Sequence, residues 1–205
     1  MEPNPRKTSS IRRLGKVDVT ALREAVLAVP ESVWDAENKG KPNAFQDLDS
    51  TRHIIFRFIS GFADWRQSYD RPLWSEWRTL IEPVLAAATA DYGYSRGAFP
   101  RIMLARMGPG GTISPHRDAK PAAKWPHKIH VPILTNEQVI FTVDGTDYHF
   151  EEGEAVEVNN MAMHSVANRG TADRIHLIFE YYDLDQPEPV WLSEVQARAR
   201  ASGRN

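Results

Sequence analysis

The sequence predicts a mainly β chain flanked by helices, and three observations carry that expectation. From residue 99 onward, short apolar stretches recur between turn signals at close, even spacing, the pattern of a sandwich or barrel. Before residue 99, the runs at 19–29 and 74–90 carry helical spacing. With 41% hydrophobic and 25% charged residues, the chain has ordinary globular composition and enough apolar side chains for a core. Helices first and a β-rich body second fit a double-stranded β-helix, the jelly roll of the cupin sort, in a single domain over 1–205.

The elements follow in order. Residues 1–13 (MEPNPRKTSSIRR) are polar and read as a flexible tail that lacks the apolar core of a signal peptide. Residues 14–98 read as helical and strand support. Asp18 is placed to cap a helix over 19–29, which Pro30 ends. Residues 35–50, rich in Asn, Lys, Gly and Asp, read as loop. A strand at 53–59 and a helix at 74–90, interrupted at Pro83, complete this part. The β body, 99–183, starts with a strand at 101–107 and the turn Gly108-Pro109-Gly110-Gly111. Strands at 128–134 and 138–143, a hairpin turn at Asp144-Gly145 and a strand at 148–150 come next. Another turn lies near Gly153, before strands at 155–158, 164–167 and 175–182. Residues 184–205 read as a C-terminal helix and tail, the helix over 189–200.

Charge and composition remove several function classes. A formal net charge of -2 gives no global basic signal, so no nucleic-acid partner is expected. No apolar run approaches the roughly 20 residues that cross a bilayer, so no membrane is expected. Zero cysteines exclude disulfides, thiolate catalysis and zinc-thiolate sites. The missing signal peptide favours the cytoplasm. No Ser-His-Asp order with a nucleophile elbow is visible, and the Gly108–Gly111 turn lacks the Gly-Lys-Ser ending of a phosphate loop. Between Arg96 and Lys128 stand seven basic residues and one acid, Asp118. Two readings stand: a solvated face, or a stretch that helps to hold a small anion.

His116-Arg117-Asp118 is the first element that carries chemistry. In a strand, residues i and i+2 project to one face, so His116 and Asp118 offer an imidazole and a carboxylate to one point. His164 begins a predicted strand 48 residues later. Two histidines and a carboxylate on one side of a metal form the facial triad of non-haem iron(II) oxygenases, with open positions for an oxoacid and dioxygen. Arg174 follows His164 by ten residues, inside the apolar strand Arg174-Ile175-His176-Leu177. A charge on the inner face of such a strand is costly unless paired, and a guanidinium is the natural fork for a carboxylate.

These residues resemble the aspartyl/asparaginyl β-hydroxylase family, which includes bacterial proline hydroxylases. The resemblance covers roughly 99–183. It rests on Ser114-Pro115-His116-Arg117-Asp118, Lys128-Ile129-His130-Val131-Pro132, Glu152-Gly153-Glu154, Asn159-Asn160, His164, Asn168 and Arg174-Ile175-His176-Leu177. It implies a double-stranded β-helix that binds Fe(II) through His116, Asp118 and His164, and 2-oxoglutarate through Arg174. Two departures stand out. Lys128-x-His130 replaces the family's Arg-x-His, keeping the charge and losing the fork. Asn159-Asn160 stand where acids are frequent. His130, Lys128 and His176 are further candidate cosubstrate contacts. For His130 and His176 the alternative is a core imidazole.

The implied activity is an Fe(II)- and 2-oxoglutarate-dependent dioxygenase. It would use O2 to hydroxylate an unactivated C–H bond of an amino acid or amino-acid-like small molecule, releasing succinate and CO2. The alternatives are hydroxylation of an Asp/Asn-type residue within a peptide or protein, or a cupin-like metal-binding or sensor protein without turnover. His53, His127 and His149 have no partner at ligand spacing and read as structural or exposed. Trp65, Trp74 and Trp77 read as core, and the loop 119–127 reads as a lid in which Trp125 either packs or faces substrate.

Overall fold

A computed structural model describes residues 7, 8, 10–42, 50–61, 64–118, 120–187 and 190–201. The chain runs β1 (Ile11–Lys16), α1 (Thr20–Leu27), α2 (Glu31–Lys39), β2 (Thr51–Ile59), β3 (Ser68–Asp70) and α3 (Trp74–Thr89). It continues β4 (Gly97–Ala98), β5 (Ile102–Met107), β6 (Thr112–His116), β7 (His127–Leu134), β8 (Val139–Val143) and β9 (Thr146–Tyr148). β10 (Glu154–Val158), β11 (His164–Asn168), β12 (Arg174–Asp183) and α4 (Val190–Ala201) complete it.

The strands form two antiparallel sheets. The large one has eight strands in the order β1-β10-β7-β12-β5-β2-β3, with β4 on β12. The small one has four, in the order β6-β11-β8-β9. Consecutive strands alternate between the sheets through much of the β body, which makes the jelly roll that the even strand spacing predicts.

The large sheet is covered on both faces, so its central strands are apolar almost throughout. On β12, Ile175, Leu177 and Phe179 alternate outward into a core shared with α1 to α3. Ile129, Val131 and Ile133 on β7 do the same, against Leu22, Val26, Ile81 and Leu85 of the helices. The opposite parity, Arg174, His176, Ile178 and Glu180, faces the small sheet. A second core between the sheets gathers Met107, Val139, Phe141, Val156, Val158 and Val166.

Local chemistry fixes the ends of several elements. Asp18 Oδ1 accepts from the Thr20 amide at 2.9 Å at the start of α1. Asp144 and Gly145 take φ of 46° and 79°, the two-residue turn that matches strand twist, with Val143 facing Thr146. This turn starts β9 at Thr146, earlier than the strand expected at 148–150.

Three expectations change. Residues 11–13, read as tail, form the first half of β1, whose partner β10 lies far along the sequence. The stretch read as loop from 35 opens in α2, held by one fully buried anchor, Trp34, under the Arg106 guanidinium. The remainder of that loop, 43–49, lies outside the described residues. α3 runs unbroken through Pro83, which was expected to interrupt it.

Candidate metal and oxoacid site

Strand pairing, not sequence proximity, assembles the centre. β6 and β11 are antiparallel neighbours, and their register sets His164 opposite His116. The two rings lie with centroids 4.3 Å apart. Asp118 follows β6, and its amide donates to the Asn160 carbonyl at 2.9 Å, which turns the carboxylate back toward the histidines. One ligand atom from each of His116, Asp118 and His164 lies within 4.8 Å of the others.

The hydrogen bonds sort the donor atoms. His116 Nδ1 sits 2.8 Å from the Ser114 carbonyl, and His164 Nδ1 sits 3.0 Å from the Ala162 carbonyl. A carbonyl only accepts, so both Nδ1 atoms carry the proton and both Nε2 atoms keep a lone pair. Asp118 Oδ2 accepts from Lys128 Nζ at 2.5 Å and from Asn160 Nδ2 at 3.1 Å. Oδ1 faces His116 Nε2 at 3.8 Å. Burial pushes the Asp118 carboxyl upward, but the Lys128 charge, His164 and these hydrogen bonds outweigh it and hold the group well below the usual carboxylate range. Burial, then the Lys128 charge, brings His164 down to about 4. A carboxylate and a neutral buried imidazole at neutral pH are the protonation states that a divalent metal needs.

The triad borders a cavity of about 440 Å³ between the sheets, also lined by Thr51, His53, Arg101, Lys128, His130 and Arg174. Arg174 is fully buried at the start of β12. Its Nη2 donates to His176 Nδ1 at 2.8 Å, its Nε has no partner, and it forms no ion pair among the described residues. Burial lowers it to about 9, so it remains a cation at neutral pH. An unneutralised guanidinium inside a cavity is a strong call for an anionic ligand.

The expected site residues therefore converge, with two differences in detail. Lys128 is held by Asp118 rather than free for an oxoacid. His176 stands behind Arg174 and off the cavity wall, neutral because burial and the Arg174 charge push it far down. His130 lines the cavity with Nδ1 unpartnered, and burial keeps it neutral too. His53, read as structural or exposed, is buried and lines the cavity. His127 bonds Glu157 at 2.7 Å and His149 donates to the Val139 carbonyl at 3.0 Å, neither on the cavity wall. Trp125 stacks on Trp65 at 6.1 Å and is off that wall.

Sequence reading passed over Asn160's hold on Asp118, and the pair Arg101 and Glu180. Glu180 shares the inward parity of Arg174, and that parity was the available signal. The basic stretch 96–128 divides: Arg101, Arg117, Lys120 and Lys128 line the cavity, whereas Arg96 and Arg106 pair with Asp185 and Asp173.

The family model for aspartyl/asparaginyl β-hydroxylase matches residues 82–183. No curated protein matches the chain. The α-ketoglutarate-dependent non-haem epimerase SnoN of nogalamycin biosynthesis superposes with a TM-score of 0.55 at 12% identity, covering 89% of this chain and 83% of that one. AviO1 of Streptomyces viridochromogenes gives 0.54 at 15% identity, over 87% and 92%. An oxidoreductase of the 2-oxoglutarate–Fe(II) oxygenase family from Burkholderia pseudomallei gives 0.52 at 13%, over 83% and 92%. At such identities the likeness is one of fold alone, the jelly roll described above.

Proposed function

Residues 82–183 match the aspartyl/asparaginyl β-hydroxylase model, and we propose that the chain belongs to that family and is an Fe(II)- and 2-oxoglutarate-dependent dioxygenase. Its substrate in this reading is an amino acid or amino-acid-containing small molecule. Iron(II), 2-oxoglutarate and O2 supply the oxidant that hydroxylates an unactivated C–H bond, with release of succinate and CO2.

The chain's residues have distinct tasks in this reading. His116 Nε2, His164 Nε2 and Asp118 Oδ1 hold the metal. Their other polar atoms are tied to Ser114, Ala162, Lys128 and Asn160, which fixes ring orientation and carboxylate rotamer. Lys128 stays on Asp118 and keeps it ionised. Arg174 takes the far carboxylate of 2-oxoglutarate, and His176 steadies its fork. His130 faces the same cosubstrate from β7. The apolar walls at Ile113, Phe141 and Val166 exclude water around the reacting centre. A cavity of about 440 Å³ lies in the range of small-molecule sites.

The observation that carries the proposal is Arg174, a buried cation with no anion beside it among the described residues, in the cavity that holds the triad. A metal-binding cupin or sensor without an oxoacid gives that charge no purpose. Succinate formation that needs both Fe(II) and 2-oxoglutarate tests the proposal. His164→Ala is expected to abolish it, and full turnover by that variant would contradict the triad.

A further inference from the structure

Beyond the metal and its oxoacid, the cavity contains a second charged feature. Arg101 and Glu180 both line it and both are buried, at 9% and 3% exposure. They make a single contact, Arg101 Nη1 donating to Glu180 Oε1 at 2.6 Å. Arg101 Nε and Glu180 Oε2 are left buried without a hydrogen-bond partner among the described residues. A purely structural Arg–carboxylate pair gains most by closing both arms of the fork, so two orphaned atoms in a pair that lines the cavity mark an unfinished site.

Position says what would finish it. Arg174 and Glu180 share one face of β12, six residues or about 20 Å apart along the strand. Across the sheet, Glu180 is in register with Lys128, whose ammonium holds Asp118. The metal ligands therefore lie toward Glu180, and the Arg174 end lies beyond them. Between the two charged ends the wall is apolar, with Phe58, Met103 and Ile178. The Arg101 guanidinium rests over the Phe58 ring at 5.4 Å, so one face is covered and its edge is left for a ligand.

We infer that the Arg101–Glu180 pair is the substrate subsite, and that it reads the α-carboxylate and α-ammonium of a free amino acid with an aliphatic side chain. This rests on the oxygenase reading above. Arg101 takes the carboxylate and Glu180 the ammonium, each turning its orphaned atom to the ligand, and the side chain lies along Phe58, Met103 and Ile178 toward the triad. Other charges near Glu180 are already engaged. Lys128 is paired with Asp118, and Lys7 is held by the Pro126 carbonyl and by Asn160 Oδ1 at 2.8 Å. Lys120 is exposed at the rim. A simple carboxylate would meet Glu180 with nothing to offer it. A residue inside a peptide carries neither charge and would leave both orphaned atoms unpaired.

The test uses wild-type protein loaded anaerobically with Fe(II) and 2-oxoglutarate. The visible band of that chelate is followed while alanine, valine, leucine, isoleucine, methionine and proline are added singly. Each is compared with its N-acetyl and carboxamide forms. At least one free amino acid is expected to perturb the band and to stimulate succinate release in air. N-acetylation and amidation should each weaken that effect by roughly tenfold or more, as should Glu180→Gln. The band recorded on the same E180Q sample reports whether the variant is folded and loaded, and if it is not, the derivative series decides alone. A normal band with no response to any free amino acid, or derivatives as effective as their parents, overturns the inference and leaves the iron–oxoglutarate reading standing. Absence of the band overturns that reading instead.

Discussion

Each triad histidine has one ring nitrogen tied to a backbone carbonyl and one left for a cation, and each is set by its own strand end. Asn160 performs the matching service for Asp118 from a fully buried position, donating also to the Ala123 carbonyl at 3.0 Å. Asn160→Ala should therefore weaken Fe(II) binding by roughly 10–100-fold, measured by anaerobic metal titration, without touching a metal ligand. Unchanged affinity would show that Lys128 alone orients the carboxylate. Arg174→Lys keeps the charge and loses the fork, so 2-oxoglutarate should bind about tenfold more weakly or worse, with Fe(II) affinity retained. At this scale the convergence of His116, Asp118, His164 and Arg174 on one cavity was legible, because strand parity and the spacing of three residue types carry it. The partner of Lys128 was not legible, since a flexible side chain settles on whichever carboxylate the fold brings near.

Strands place these residues, and turns hold the strands in register. Asn168 closes β11 by donating to the carbonyls of Met107, Gly108 and Ala172 at 3.2, 3.1 and 2.9 Å, and so ties the β5–β6 turn to the β11–β12 turn. Asn168→Ala leaves those carbonyls with fewer donors in a buried place and should cost about 1–3 kcal/mol in denaturant unfolding. A loss within experimental error would mean that the backbone bonds of Gly110 and Asn168 suffice. Most of the strands were readable from alternation and turn residues. β1 was not, since its exposed edge reads as polar sequence and only its distant partner β10 makes it a strand. α2 was missed for a related reason: one buried residue, Trp34, gives no periodicity to count, and Arg106 and Arg52 hold its first residue, Glu31, from afar.

The whole molecule keeps several histidines neutral around one cavity, and this sets its response to acid. Burial brings His164 to about 4 and His53 to about 3, both below the ordinary value near 6.5. For a base whose folded value is depressed, the unfolded chain binds the proton first. Stability is then complete above about 6.5 and falls as pH drops through the window down to about 4. Metal-free protein should lose roughly 2 kcal/mol per such histidine between pH 7 and pH 5, read as a lower urea midpoint. A midpoint that stays constant or rises would contradict neutral, buried imidazoles. The jelly roll was legible as a whole because alternation and even spacing repeat over 99–183. The cavity's second charged pair was not, because Arg101 and Glu180 are 79 residues apart and meet only through the sheet. The central claim is that Arg174 awaits the cosubstrate of a metal held by His116, Asp118 and His164. Anaerobic titration of metal-free protein with Fe(II) and then 2-oxoglutarate, followed in the visible range, tests it most directly. A weak charge-transfer band that needs both additions, and is lost in Arg174→Ala and His116→Ala, is the predicted result. Tight Fe(II) binding with no band on adding 2-oxoglutarate would contradict it.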